Sequence, residues 1–128
     1  MPRYAFGKTV ATSYEETLER ATAALAAEGF GVLTEIDVAA TLKKKLGKDI
    51  APYKILGACN PQFAHQAIEL EPQIGTLLPC NVVVRVEAGK TIVEIMDPDA
   101  VLSLVERPGI AAIAAEVRAR LERVLAAL

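Results

Sequence analysis

The chain has 128 residues, 52% hydrophobic and 23% charged, with 14 Lys and Arg against 16 Asp and Glu and a formal net charge of -2. At this length and apolar content folding offsets ordering entropy without disulfide staples or a structural metal, which excludes intrinsic disorder and predicts a single domain over residues 1–128. The near-neutral charge leaves no broad footprint for nucleic acid, the one basic cluster being Lys43-Lys44-Lys45 with Lys48.

Residues Tyr4 to Ala11 alternate bulky and small side chains, which predicts a strand. Ser13-Tyr14-Glu15-Glu16 is a capping box, and Tyr14, Leu18, Ala21 and Leu25 keep helical spacing until Gly29. Phe30 to Ile36 returns to period two. Asp37 caps a short helix through Leu46, with Gly47 as its stop and the lysines off its apolar stripe. Tyr53 to Cys59 is a third strand, and Asn60-Pro61 gives an N-cap and a first-position proline for a helix to about Leu70.

Glu71 to Gly75 is a breaker segment. Leu77 to Glu87 and Thr91 to Asp97 form a hairpin about Ala88-Gly89-Lys90, with Leu78, Cys80, Val82, Val84 and Val86 on one face of the longer arm. Asp97-Pro98 repeats the cap-and-proline signature before a short helix. After Pro108-Gly109, apolar residues from Ile110 to Leu128 recur at helical spacing. The order β-α-β-(α)-β-α-β-β-α predicts an α+β fold with helices on one face of a mostly antiparallel sheet.

Reactive residues are few: two Cys, one His, two Asn and two Ser, with no Trp. Neither Ser13 nor Ser103 lies in a G-x-S-x-G elbow, which excludes the Ser-His-Asp hydrolases. Two Cys and one His cannot supply four soft zinc ligands, and C-x5-H-x14-C is not a usual zinc spacing, so no metal and no cofactor is expected. Gly7-Lys8-Thr9 and Gly89-Lys90-Thr91 resemble the end of a Walker A loop, but its first glycine is replaced by Pro2 and Val84. The longest stretch without a charged residue, Ile55 to Ile68, is 14 residues long and contains Asn60, Gln62, His65 and Gln66, too short and polar to span a bilayer. With no apolar signal core at the amino terminus, a cytoplasmic, reducing location with free thiols and no membrane partner is expected.

Both asparagines immediately follow the only two cysteines, at Ala58-Cys59-Asn60-Pro61 and Pro79-Cys80-Asn81-Val82. The chain is sparing of Asn, Gln and Ser, as thermophile proteins are, so a retained Asn stands out. The structural explanations are an N-cap for Asn60, core packing for the two thiols, and a bulge beside Pro79 for Asn81. The functional explanation places Cys59 at the positive end of a helix dipole, which would lower its pKa and make it the more reactive thiol and the best catalytic candidate. Free N–H groups after Asn60 would receive an anion or a carbonyl group. His65 lies off the Phe63, Ala64, Ala67, Ile68 stripe and reads as a surface residue. Lys54 is only marginal, lying opposite Cys59 by strict strand alternation. The candidate ligand-binding set is Cys59, Asn60, Pro61, His65, Cys80 and Asn81.

At Tyr53-Lys54-Ile55-Leu56-Gly57-Ala58-Cys59-Asn60-Pro61 and Leu77-Leu78-Pro79-Cys80-Asn81-Val82 the chain resembles the bacterial and archaeal family known as domain of unknown function 302. The likeness extends over nearly the whole chain and includes Gly29-Phe30 and the Asp97-Pro98 turn. It implies a TATA-binding-protein-like β-α-β4-α fold with a curved antiparallel sheet and a homodimer, and it implies no reaction; the shared fold is no argument for DNA binding. Three functional readings follow. The first is a dimeric protein with a small-molecule or anion pocket at the two Cys-Asn segments. The second is a thiol-dependent enzyme or redox protein in which Cys80 resolves Cys59. The third is a structural or partner-binding dimer that uses the last helix or a strand edge.

Overall fold

The computed structural model describes residues 2–128. The elements are β1 (Ala5–Val10), α1 (Tyr14–Ala27), β2 (Gly31–Asp37), α2 (Val38–Leu46), β3 (Tyr53–Cys59), α3 (Pro61–Leu70), β4 (Cys80–Glu87), β5 (Lys90–Met96), α4 (Pro98–Leu102) and α5 (Ile110–Ala126). The strands form one open antiparallel sheet in the order β1-β5-β4-β3-β2. The fold is therefore α+β, as the element order and the resemblance imply. Among the described residues no helix is long and apolar enough to cross a membrane.

The predicted caps act through the expected atoms. Ser13 Oγ accepts the Glu16 N–H, Asp37 accepts the Ala40 N–H, Asn60 accepts the Phe63 N–H, and Asp97 accepts the N–H groups of Asp99 and Ala100. Each satisfies a donor that the first helical turn leaves without a partner. Between β4 and β5 the turn is Ala88-Gly89, both at positive φ, the backbone twist that a two-residue hairpin requires. The breaker segment is ordered as a 3-10 turn over Pro72–Leu77, and the chain enters β4 through a cis Leu78-Pro79 bond. With Leu77 taken up in that turn, the longer hairpin arm starts at Cys80.

Alternation along the strands sends Leu56, Ala58, Val82, Val84, Val93 and Ile95 to one face, where all are buried in a single apolar cluster with residues of α1 and α5. From α5, the buried Ile110, Ile113, Ala114, Val117, Leu121 and Val124 join that core. These six residues of the last helix are thus committed to holding the sheet. On the other face lie Asn81, Val83, Arg85, Ile92 and Glu94, none of them buried, with Arg85 Nε donating to Glu94 Oε1 at 2.7 Å. The bulge anticipated at Asn81 is absent: β3 and β4 stay in register from Tyr53↔Arg85 through Gly57↔Asn81 to Ala58↔Cys80. The irregularity falls in β2 instead, between Val32 and Thr34.

Candidate functional site

The sequence Gly57-Ala58-Cys59-Asn60-Pro61 carries the chain off the end of β3 and into α3 with no intervening loop. Asn60 is the junction. Its extended backbone ends the strand, its side chain caps α3, and it is 8% exposed. Gly29, at φ 85, packs on the Asn60 amide, since a Cβ there would come within 3.0 Å of Asn60 Nδ2. From α5, Arg120 closes the rim: Nη1 donates to the Glu28 carbonyl oxygen at 3.1 Å, and the guanidinium lies over the Phe63 ring, 5.0 Å from its centroid.

Behind this junction is a cleft of about 30 Å³, bounded by the ends of β3 and β4, by Phe30, and by side chains of α3, α4 and α5. Antiparallel pairing of β3 with β4 sets Cys80 across from Ala58 on the buried face, and Cys59, the last residue of β3, lines the same cleft where the strand ends. Its walls are almost entirely carbon and sulfur, contributed by Phe63, Ala67, Leu78, Ile113 and Val117 among others.

Cys59, Asn60 and Cys80 line this cleft, whereas Pro61, His65 and Asn81 do not. Pro61 starts α3 on the exposed side. His65 is exposed, with Nε2 2.8 Å from Glu69 Oε1 one turn along the helix. Asn81 belongs to the opposite face of the sheet. Among the described residues no group of three or more His, Cys, Asp or Glu is placed to hold a metal ion.

The electrostatics run against the sequence expectation for Cys59. Burial raises its thiol above the ordinary value instead of the helix terminus lowering it. For Cys80 the same desolvation, with the neighbouring Cys59 adding to it, pushes the pKa up to about 11. Asn60 is the physical reason the dipole offers so little. Pro61 has no N–H, Asn60 Oδ1 takes the Phe63 N–H, and the Asn60 carbonyl oxygen takes the Ala64 N–H, which leaves Gln62 as the one spare donor of the first turn.

Sequence reasoning missed Phe30, Phe63 and Arg120 as parts of the site. Phe63 was readable only as a helix-stripe residue. Arg120 lies 60 positions away from Asn60, and nothing in the local pattern of α5 distinguishes it from Arg118 and Arg123.

The sequence model of the family described as "Domain of unknown function DUF302" matches residues 6–128. The chain is also similar to the crystal structure of an uncharacterized conserved DUF302 protein from Bacillus stearothermophilus. The two are 34% identical, the match covers 98% of each chain, and the TM-score is 0.91. No curated protein matches the chain.

Proposed function

The chain belongs to the DUF302 family, and on that footing we propose that it is a small-ligand-binding protein whose cleft at Cys59, Asn60 and Cys80 takes a small uncharged, apolar group. The carrying observation is the cleft itself, an apolar recess at the meeting point of six chain segments with both thiols in its wall. An anion would find a single spare backbone donor there and apolar walls elsewhere, so desolvating its charge would cost more than the site returns. At about 30 Å³ the recess has room for roughly two waters, which matches a compact apolar group better than a whole metabolite.

Thiol catalysis has less support. Both thiols are raised, the only imidazole lies outside the cleft, and a nucleophilic or resolving cysteine works as the thiolate.

A homodimer is the second part of the reading, and one surface favours it. Leu33, Ile36, Leu46 and Ile50, between 44% and 66% exposed, fall together on edge strand β2, helix α2 and the loop that follows. Helix α2 buries none of its residues although Val38, Leu42 and Leu46 form an apolar stripe, and β2 pairs on one side only. A second copy of the chain at this edge would cover both.

A native mass spectrum of protein purified from its own cells tests the two parts together. The expected spectrum shows a dimer at micromolar concentration carrying a non-covalent adduct, and Ala64→Leu, which fills the cleft from α3, removes the adduct and keeps the dimer. A bare monomer would contradict both parts.

A further inference from the structure

Asn81 is left without a structural duty. It sits in a central strand in unbroken register, where asparagine is disfavoured. Its side chain is exposed, and among the described residues the carboxamide has no protein hydrogen-bond partner. It opens instead into a cavity of about 320 Å³ bounded also by Pro2, Tyr4, Tyr53, Glu94, Met96 and, from α4, Val101. This volume is about ten times that of the thiol cleft and falls at the lower end of the range for small-molecule sites.

The polar lining restricts the ligand. Glu94 is the acidic group of the cavity, and Arg85 holds it through two hydrogen bonds, Nε to Oε1 at 2.7 Å and Nη2 to Oε2 at 3.3 Å. With that charge paired, the cavity attracts neither anion nor cation strongly. Beside that pair it presents the Asn81 carboxamide, a donor beside an acceptor, together with the phenol side chains of Tyr4 and Tyr53 and the thioether of Met96. A side-chain carboxamide pairs through two parallel hydrogen bonds with an edge that has the complementary pattern, as it does with adenine.

We infer that this cavity is a second ligand site, independent of the thiol cleft, which binds a small neutral planar molecule through an amide-type edge paired with Asn81. Tyr53 and Met96 cover the faces of such a molecule, and Asn81 sets its orientation.

Nicotinamide is a suitable probe, a neutral ring bearing one carboxamide, for which a ligand of this size has an expected Kd near 1 mM. Titration followed by NMR should shift the Asn81 side-chain amide and the Met96 methyl together and saturably. Asn81→Val, which suits a strand better, should weaken binding at least about tenfold with the melting temperature unchanged or raised. Asn81→Gln, which keeps the carboxamide one methylene further out, should retain part of the affinity. No saturable shift up to about 20 mM, equal binding by Asn81→Val, or shifts confined to Phe63 and Ala67 in the thiol cleft would each overturn the proposal. So would broadening of the Asn81 and Met96 signals with protein concentration alone, which would assign the face to a second copy of the chain.

Discussion

Gly7→Ala lowers the stability of the folded chain by about 3 kcal/mol or more, seen as a drop in the urea midpoint with little change in slope. Gly7 pairs with Glu94, and the strands approach so closely that a Cβ at this position would lie 2.1 Å from the Val93 carbonyl oxygen and 2.9 Å from the Glu94 Cα. Both are backbone atoms of β5, so no rotamer change relieves the contact. Edge strand β1 must move away, which breaks part of its six-residue ladder and withdraws Val10 from the core. The same crowding explains the glycine of Gly7-Lys8-Thr9 without reference to phosphate. A loss below about 1 kcal/mol would mean that β1 is held more loosely than its register requires.

Cys80→Ala is expected to reverse its effect with pH. The Cys80 thiol is 7% exposed, and burial with the adjoining Cys59 sets its pKa at about 11 in the folded chain. Below about pH 8.5, the ordinary thiol value, folded and unfolded chains both keep the proton and the group adds no pH dependence. Between that value and 11 the unfolded chain releases the proton while the folded chain retains it, so stability falls as pH rises. The accumulated loss, two pKa units or slightly more, is roughly 3 kcal/mol. At pH 7.5 the alanine variant is the less stable by about 1 kcal/mol for the lost sulfur packing. At about pH 9 the two chains should be equally stable, and above it the variant should be the more stable. The rest of the chain is common to both proteins and cancels in the difference. A stability gap that stays constant from pH 7.5 to 10.5 would place the Cys80 thiol in water instead of in the cleft wall.

The fold was largely legible in the sequence because its punctuation is local. Ser13, Asp37, Asn60 and Asp97 each precede a helix by one residue, and each accepts the hydrogen bond that such a position calls for. Period-two patterning similarly identified the buried face of β4. The site was legible only in part. Adjacency along the chain drew Cys80 and Asn81 together as one motif, but successive strand residues point to opposite faces, and the sheet separates them into two different recesses. His65 was counted in by proximity to Cys59 and is turned outward by the helix that Asn60 begins. The expected activation of Cys59 failed for a long-range reason: packing by α3, α4 and α5 desolvates the thiol, and no local pattern reports that packing. Arg120, reaching from the last helix to the Phe63 ring and the Glu28 carbonyl oxygen, depends on the same tertiary arrangement.

Xenon probes the thiol cleft directly, because it binds only where an apolar recess of suitable size is open to it. The measurement is a 13C-methyl NMR titration under increasing xenon pressure. An open apolar cleft gives saturable shifts at Ala64, Ala67 and Leu78, slower alkylation of Cys59 in step with them, and loss of both effects in Ala64→Leu. Linear, unsaturable shifts at those methyls, with Cys59 alkylation unchanged, would contradict it.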